Sequence, residues 1–357
     1  MIRKIGSGNE AVVDGALAAG CMLFAGYPVT PSSEILEFAS AQFEPNGRIC
    51  VPTEGEITAI HLVAGASLGG FRAMTATTGL GFSLMTEALS FFSGMSELPG
   101  VVVFQQRWGP GDGSLGPGQD CYWQVTRSGG HGDFRMIVLA PCSAQETVDH
   151  TILAFDLAEK YNLFVVVLGD QLVALTSEIY EVPEPGIPKE REVQFGHKGN
   201  LVMPELVAVD EKAGDFDALE TLARRWEAKY ATIASAEVRW ERTGPDDADL
   251  LLVAYGSLAR IADDALNTIQ SLGFKAAVFR PITLWPFPER ELAAQSTGKR
   301  VVVLELSMGQ MLDDVRLAIG RRPDAFVNWL GGNAPSPRQL AHRVAESLQE
   351  AAHGDRI

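Results

Sequence analysis

Three segments carry side chains suited to chemistry, and two of them directly follow a short apolar run. The first, GYPVTPSSEI (26–35), has a proline on either side of Thr30. These prolines restrict the backbone at the edge where open α/β sheets bind ligands. The same residues are also typical of a rigid strand-to-helix turn in which Ser32 or Ser33 caps the helix. Both interpretations stay open on the residues alone.

The second segment, PTEGEITAIHLVAGASLGG (52–70), places Glu56 at the start of an apolar helix. Thr53 and Glu56 stand in T-x-x-E order, which predicts a capping box and a structural role for Glu56. Residues 65–69 read G-A-S-L-G, which formally matches the nucleophile elbow of a hydrolase. An elbow needs a strand before the serine and a helix after it, whereas this pattern predicts the reverse. Ser67 is therefore predicted to be a packing residue.

The third segment, VVVFQQRWGPGDGSLGPGQDCYWQ (101–124), runs from a strand into Arg107 and a loop rich in glycine. An arginine at the end of a strand can bind a carboxylate through two parallel hydrogen bonds, although a surface ion pair is the alternative. Residues 111–113 spell the G-D-G of a magnesium-diphosphate motif, but no asparagine follows at 136–143, so we do not predict that site. His131 and Asp133 are predicted to belong to a structural turn.

Short apolar strands alternate with helical periodicity around these segments, which predicts a doubly wound parallel sheet covered on both faces. We expect an α/β domain at 1–175, a connector with a charged helix at 176–245, and a smaller α/β domain at 246–357. The predicted strands are 21–26, 71–78, 101–106, 135–141, 163–169, 249–257, 274–281 and 301–307. The predicted helices are 9–20, 57–68, 84–93, 144–161, 216–233, 259–272, 289–295 and 312–319.

Composition narrows the function classes. The 357 residues are enough for about two domains, and 29 basic against 45 acidic residues give a net charge of −16. No block of Lys and Arg interrupts this acidity, so nucleic acid and membrane surfaces are not expected partners. The four cysteines stand far apart, without the spacing of a zinc or iron–sulfur site. No signal peptide or membrane span is predicted, which favours a cytoplasmic protein.

Taken together, these segments resemble the alpha, or pyrimidine-binding, subunits of the 2-oxoacid:ferredoxin oxidoreductases, most closely the branched-chain (ketoisovalerate) type. GYPVTPSSEI is similar to the family's Y-P-[IV]-T-P signature. EGEITAIHLVAGASLGGFRAMTATTGLGFSLM resembles its glutamate helix and following strand, and SGGHGDFRMIVLAPCSAQE a stretch found in the branched-chain group. FRPITLWPFPE and VVVLELSMGQMLDDVR look like its C-terminal markers. The resemblance implies a thiamine-diphosphate-binding sheet domain and a transketolase C-terminal-like domain.

The resemblance also implies roles for individual residues. Glu56 matches the glutamate that hydrogen-bonds the cofactor's aminopyrimidine ring, because a helix glycine, Gly65, follows nine residues later, and Glu54 is the fallback. Thr30 and Arg107 match the pair that binds the substrate carboxylate. Trp108 replaces a glycine often found after that arginine, which favours a branched-chain or aryl 2-oxoacid. The other residues that the resemblance places against thiamine diphosphate are Tyr27, Pro28, Thr78 and Gly79.

Such a chain would supply half of a site. By resemblance, Mg²⁺ and the diphosphate belong to a beta subunit, and [4Fe-4S] clusters to the beta subunit or a ferredoxin-like delta subunit, with a gamma subunit completing the complex. Coenzyme A would accept the acyl group, and electrons would pass to ferredoxin or to an NAD-linked subunit. The alternatives are a 2-oxoglutarate or pyruvate enzyme of the same family, or a non-catalytic scaffold subunit.

Overall fold

A computed structural model describes residues 1–191 and 214–352. The helices and strands follow each other in the alternating order that the sequence predicts. The first part of the chain contains β1 (Ile2–Ser7), α1 (Gly8–Ala18), β2 (Leu23–Gly26), α2 (Ser33–Gln42), β3 (Ile49–Pro52), α3 (Glu56–Leu68), β4 (Ala73–Thr77), α4 (Gly79–Leu89), β5 (Gly100–Gln106), α5 (Tyr122–Thr126), β6 (Ile137–Leu139), α6 (Ala144–Tyr161), β7 (Phe164–Asp170), α7 (Gln171–Leu175) and β8 (Ser177–Val182).

The second part begins with a long charged helix and then resumes the α/β alternation. It contains α8 (Phe216–Ala236), β9 (Trp240–Thr243), β10 (Leu250–Val253), α9 (Gly256–Ser271), β11 (Ala276–Pro281), β12 (Thr283–Trp285), α10 (Glu289–Ser296), β13 (Arg300–Glu305), α11 (Gln310–Ile319), β14 (Ala325–Asn328) and α12 (Pro337–Ala352).

The larger sheet has seven strands in the order β12-β6-β7-β5-β4-β2-β3. All neighbouring strands are parallel except β12, which runs antiparallel to β6 at the edge. Both faces are covered because successive residues of β5 enter different core clusters, with Val102 and Phe104 on one side and Val101 and Val103 on the other. The predicted doubly wound parallel sheet is therefore confirmed.

The smaller sheet has five strands in the order β14-β13-β10-β11-β9, with β9 antiparallel to β11. Leu250 and Leu252 of β10 pack with residues of α9 and α12 on one face. Leu251 and Val253 face the other way and join the cluster that also contains core residues of the larger sheet. The two sheets thus share one continuous apolar core.

Several strands pair with strands that lie outside their own expected domain range. β8 pairs antiparallel with β1, at the start of the chain. β9 belongs to the smaller sheet, whereas β12 forms the edge of the larger one. Across residues 1–191 and 214–352, no helix has the length and apolar character needed to cross a membrane.

Arg280 of β11 joins the smaller sheet to α6 through an ionic contact in which its own side chain is buried. Its side chain is 5% exposed, and its two terminal nitrogens donate to the carboxylate of Glu146 on α6 at 2.8 and 2.6 Å. It also donates to Glu241 of β9, through Nε at 3.2 Å. A bidentate arginine of this kind is worth most where water is excluded, because removing one partner leaves the other charge buried.

The Arg280→Met substitution is therefore expected to lower the free energy of unfolding by about 3 kcal/mol, measured by chemical denaturation. The matched control is Arg300→Met, because Arg300 pairs with Asp249 at 3.4 Å with side chains that are 41% and 62% exposed. Exposed pairs contribute little, so the control is expected to stay within about 0.5 kcal/mol of the wild type. Equal losses in both variants would contradict the role assigned to Arg280.

Candidate active site at the carboxyl edge of the larger sheet

Three adjacent parallel strands bring most of the predicted site residues to one edge. β2, β4 and β5 are neighbours in the sheet and point the same way. Their last residues are Gly26, Thr77 and Gln106, so the segments that follow emerge at the same edge. Those segments carry Tyr27 to Thr30, Thr78 with Gly79, and Arg107 with Trp108. This is the edge at which open parallel sheets bind ligands.

The turn after β2 is held from beneath by a buried amide. Asn9 is fully buried, and its Nδ2 donates to the carbonyl of Pro31 at 2.8 Å. Gln105 of β5 donates in turn to Asn9 Oδ1 at 3.3 Å. Ser32 precedes α2 but makes no side-chain cap, and its hydroxyl donates to Val29 O at 2.8 Å, while Ser33 is the first helical residue. The predicted serine cap is therefore wrong, and the turn depends on Asn9 instead.

Arg107 binds this turn while keeping most of its donors free. Its Nη1 donates to the carbonyl of Thr30 at 2.9 Å, the single hydrogen bond of this side chain to the described residues. A guanidinium has five N–H donors, so four stay available. The Thr30 side chain is exposed next to it and makes no hydrogen bond within the described chain. The pair can therefore receive an external carboxylate.

Glu56 is buried without the partner that the sequence predicts. It is the first residue of α3 and is 6% exposed. The N-cap is Gly55, and the hydroxyl of Thr53 donates to Gly55 O at 3.0 Å, so the predicted capping box does not form. The Glu56 carboxylate makes no hydrogen bond to any other described residue. A buried carboxylate normally needs such partners, so this one is left for a group outside the chain.

The absence of a side chain at Gly81 leaves the space that the Glu56 carboxylate occupies. A Cβ atom at Gly81 would lie 2.2 Å from Glu56 Oε1 and 2.0 Å from Thr77 Oγ1. Both distances are far below van der Waals contact. The first turn of α4 therefore packs directly over Glu56, which only a glycine permits.

Glu54, two residues earlier, lies in a different environment. Its side chain is exposed and accepts a hydrogen bond from Thr58 Oγ1 at 2.6 Å. This hydrogen bond lowers the pKa of the Glu54 carboxyl. Between the two glutamates, burial and the absence of a partner favour Glu56 as the one that meets a cofactor.

Thr78 adds a second polar atom without a partner at the same edge. It is the N-cap residue of α4, but its side chain does not cap the helix. Its Oγ1 is buried and has no hydrogen-bond partner. The hydroxyl is therefore available to a ligand that reaches the start of α4.

Thr78, Gly79, Arg107 and Trp108 line one cavity of about 450 Å³ between the two sheets. Tyr27, Pro28, Thr30, Glu54 and Glu56 are not part of its lining, although Thr30 contacts Arg107. The cavity also has lining residues that the sequence did not assign to a substrate or cofactor site. They are Leu80, Ser83, Gly109, Pro110, Gly111, Asp120, Cys121, Trp123, Gln124, Ser307, Met308, Gln310 and Leu330.

The loop after Arg107 folds back to build this wall. Trp108 N–H donates to Gly116 O at 3.0 Å, and Gly109 N–H donates to Asp120 Oδ2 at 2.7 Å. A Cβ at Gly113, whose φ is +54°, would lie 1.9 Å from Trp108 O. The G-D-G residues are thus a tight turn of the loop, and no group of three or more His, Cys, Asp or Glu in the described ranges could hold a metal ion.

The other side chains considered from the sequence lie elsewhere. Ser67 sits inside α3, is 1% exposed, and its hydroxyl donates to Pro99 O at 2.6 Å. The prediction that it packs, rather than acting as a nucleophile, is confirmed. His131 and Asp133 line a second cavity of about 910 Å³, beside Trp226 and Tyr230 of α8.

The matches to known families cover nearly the whole chain. Residues 14–234 match the family described as pyruvate flavodoxin/ferredoxin oxidoreductase, thiamine diphosphate-binding, and residues 248–340 match pyruvate:ferredoxin oxidoreductase core domain II. The chain belongs to the 2-oxoacid:ferredoxin oxidoreductase family. The resemblance seen in the sequence is confirmed, as is its thiamine-diphosphate-binding fold.

Relatives of this oxidoreductase subunit include the ketoisovalerate oxidoreductase subunit VorB of Methanothermobacter thermautotrophicus, 43% identical over 97% of this chain and 98% of the relative. The 2-oxoglutarate synthase subunit KorA of Methanocaldococcus jannaschii is 35% identical over 94% and 98%. Among solved structures, the 2-oxoglutarate:ferredoxin oxidoreductase of Magnetococcus marinus, with 2-oxoglutarate, coenzyme A and succinyl-CoA bound, superposes with a TM-score of 0.83 at 27% identity. This chain covers 65% of that chain's length, and the match covers 97% of this one.

In this oxidoreductase subunit, a buried carboxylate organises the second-domain side of the cavity. Glu305, at the end of β13, accepts hydrogen bonds from Ser307 Oγ at 2.6 Å, Met311 N at 3.1 Å and Leu312 N at 2.7 Å. It therefore fixes the start of α11, where Gln310 enters the cavity wall. Burial raises the pKa of Glu305 from 4.5 to about 7 against the lowering effect of these hydrogen bonds.

The raised pKa of Glu305 predicts how the stability of the folded chain changes with pH. The folded chain holds the Glu305 proton at pH values where the unfolded chain has lost it. The resulting stabilisation is complete below pH 4.5 and is lost as pH rises through about 7. We therefore expect the Tm of the wild type, minus that of Glu305→Gln, to decrease between about pH 5 and about pH 7.5. The matched control is Glu289→Gln at an exposed position, and its Tm difference should not reproduce the decrease expected for Glu305→Gln.

Proposed function

We propose that this chain supplies the pyrimidine-binding half of a thiamine diphosphate site and that a partner subunit supplies the other half. The assembled enzyme would oxidatively decarboxylate a branched-chain or aryl 2-oxoacid to its acyl-CoA and CO₂. The observation that carries the proposal is the buried Glu56 carboxylate, which has no partner among the described residues and lies at the edge that carries Arg107.

The residues at this edge fit the cofactor. Glu56 would hydrogen-bond a nitrogen of the aminopyrimidine ring, because its carboxylate is buried, unpartnered and kept in place by Gly81. The buried hydroxyl of Thr78 offers a further hydrogen bond. When bound, thiamine diphosphate supplies the nucleophilic carbon for the 2-oxo group and takes up the electron pair left by decarboxylation. We place its remaining contacts at Tyr27, Pro28, Thr30 and Gly79.

Glu56 would move a proton, and Arg107 would orient the substrate. A carboxylate at a ring nitrogen can share a proton with it, and a protein site free of water makes that transfer more effective. Arg107 would hold the substrate carboxylate with the donors that Thr30 O leaves free, and the Thr30 hydroxyl would add another. Such a clamp fixes the 2-oxo carbon in one orientation, which contributes through proximity.

The edge is also suited to a partner subunit. Ile57, Leu80 and Leu84 are 53%, 37% and 53% exposed around the starts of α3 and α4, next to Glu56. Exposed apolar side chains in a group are typical of subunit interfaces. We place Mg²⁺ and the [4Fe-4S] clusters on partner beta and delta subunits, with a gamma subunit, ferredoxin or an NAD-linked subunit as further partners, and the complex in the cytoplasm.

The first test replaces Glu56 and Glu54, one at a time, with glutamine in the complex assembled with its partner subunits. Glu56→Gln is expected to lower kcat at least about 100-fold, because it removes a general acid–base group. Glu54→Gln is expected to stay within about threefold, because that side chain is exposed and paired with Thr58. The readout is viologen reduction with 2-oxoacid and coenzyme A. Retained activity in Glu56→Gln would favour a scaffold subunit or a role for Glu54.

The cavity chemistry supports a monocarboxylate with an apolar side chain. Arg107 is the only Lys or Arg among the described residues that line it. Among the polar neighbours, Gln124 Nε2 donates to Gly79 O and Ser83 Oγ, and Ser307 donates to Glu305, while the uncharged Thr78 hydroxyl has no partner. A second substrate carboxylate would therefore find no free cation there. The apolar lining residues are Leu80, Trp108, Pro110, Cys121, Trp123, Met308 and Leu330.

The second test screens 2-oxoacids on the purified native complex with coenzyme A and a viologen dye. We expect kcat/KM for branched-chain or aryl acids to exceed that for 2-oxoglutarate at least about tenfold, because an unpaired carboxylate in an apolar wall is costly. A Trp108→Gly variant is expected to reduce this preference. Preference of the wild type for 2-oxoglutarate would instead favour the alternative enzyme type of this family.

A further inference from the structure

Gln310 connects the second domain to the substrate cavity through three hydrogen bonds. Its Oε1 accepts from Trp123 N at 2.8 Å, and its Nε2 donates to Asp120 O at 2.7 Å. Its own carbonyl accepts from Trp123 Nε1 at 2.9 Å. The amide thus uses its acceptor and one donor on a segment that lies almost 190 residues earlier in the chain.

The segment that Gln310 holds is a wall of the cavity. Asp120, Cys121 and Trp123 all line it. Asp120 Oδ2 also accepts from Gly109 N–H at 2.7 Å, so the same segment fixes the loop next to Trp108. The hydrogen bonds of Gln310 therefore hold Trp123 directly and, through Asp120 and Gly109, the loop beside Trp108.

Gln310 is itself held firmly on its own side. Its N–H donates to Ser307 Oγ at 3.3 Å, and that hydroxyl donates to the buried carboxylate of Glu305. Glu305 also binds the next two N–H groups of α11. A side chain on such a fixed helix start can impose its geometry on a glycine-rich loop, whose own backbone is permissive.

We propose that Gln310 is a positioning residue that fixes the Asp120–Trp123 wall, so that the second domain sets the fit of the substrate side chain. The proposal rests on the proposed function, because it takes this cavity as the substrate site. Gln310 acts through Trp123 and Asp120 and leaves the carboxylate clamp at Arg107 unchanged. Its loss should therefore weaken substrate binding and discrimination more than the chemical step.

The test uses the assembled complex with three variants. Gln310→Leu keeps the approximate side-chain volume and removes both side-chain hydrogen bonds, so KM for the preferred 2-oxoacid should rise about tenfold. kcat should change less than about threefold, and the preference over 2-oxoglutarate should fall. Gln310→Glu keeps the acceptor for Trp123 N but loses the donor to Asp120 O, so its KM should be intermediate. Gln270→Leu, at an exposed position of α9, is the matched control and should behave as the wild type.

Tryptophan fluorescence provides a readout that does not depend on turnover. The emission of Trp123 is obtained for each protein by subtracting the spectrum of the same protein that also carries Trp123→Phe. This emission should shift in Gln310→Leu and not in Gln270→Leu. An unchanged KM, preference and spectrum in a folded Gln310→Leu complex would overturn the proposal. If Gln310→Leu does not fold, an unchanged KM in Gln310→Glu would overturn it. Failure of the wild-type complex to oxidise any 2-oxoacid would instead reject the proposed function.

Discussion

The cavity exists because Gln119 fastens the two domains to each other. This side chain is fully buried, and its Nε2 donates to Tyr255 O at 2.9 Å while its Oε1 accepts from Leu306 N at 3.1 Å. Its backbone N–H donates to Leu306 O at 2.9 Å, and its carbonyl accepts from Tyr255 OH at 3.2 Å. The side-chain amide and both backbone polar groups of one residue thus form hydrogen bonds across the domain boundary. Since buried polar groups are costly when unpaired, this contact favours one relative position of the domains.

Glu56 and Thr78 depart from the rule that buried polar groups are paired. At the domain boundary, Arg280 is paired with Glu146 and Glu305 with Ser307. Glu56 and the hydroxyl of Thr78 are buried or nearly so and have no partner among the described residues. A folded chain keeps such groups at a cost in stability. The cost is understandable if a bound molecule supplies the missing hydrogen bonds.

The sequence was sufficient for the parts of the fold that depend on local pattern. Buried parallel strands such as β5 and β7 are continuous apolar runs, and α6 was predicted with its observed bounds because its helical periodicity is strong. The edge strands were missed for a physical reason. β1, β3 and β14 are only partly buried, and β12 has three residues, so none of them shows a distinctive pattern.

The site was predictable to a similar limit. Residues just after parallel strands, such as Arg107 and Thr78, could be placed at one edge because strand order alone brings them together. The capping roles predicted for Thr53 and Ser32 were wrong because short capping motifs compete with other local hydrogen bonds. Here the Thr53 hydroxyl donates to Gly55 O and the Ser32 hydroxyl to Val29 O. Asn9 and Gln310 were not found, since a single amide in a helix start carries no pattern. Their partners lie 22 and 190 residues away in sequence.

On the proposed function, the cavity would select its substrate more by exclusion than by attraction. Burying a branched side chain of about three carbons against Trp108 and Trp123 contributes about 2 kcal/mol. A second carboxylate in the same place would lie near Asp120, and the described lining residues offer it no cation besides Arg107, which would hold the first carboxylate. Leaving it unpaired costs several kcal/mol, which exceeds the apolar gain. Because Gln310 uses its acceptor and one donor on the wall that contains Asp120 and Trp123, the second domain contributes to selectivity as well as to shape.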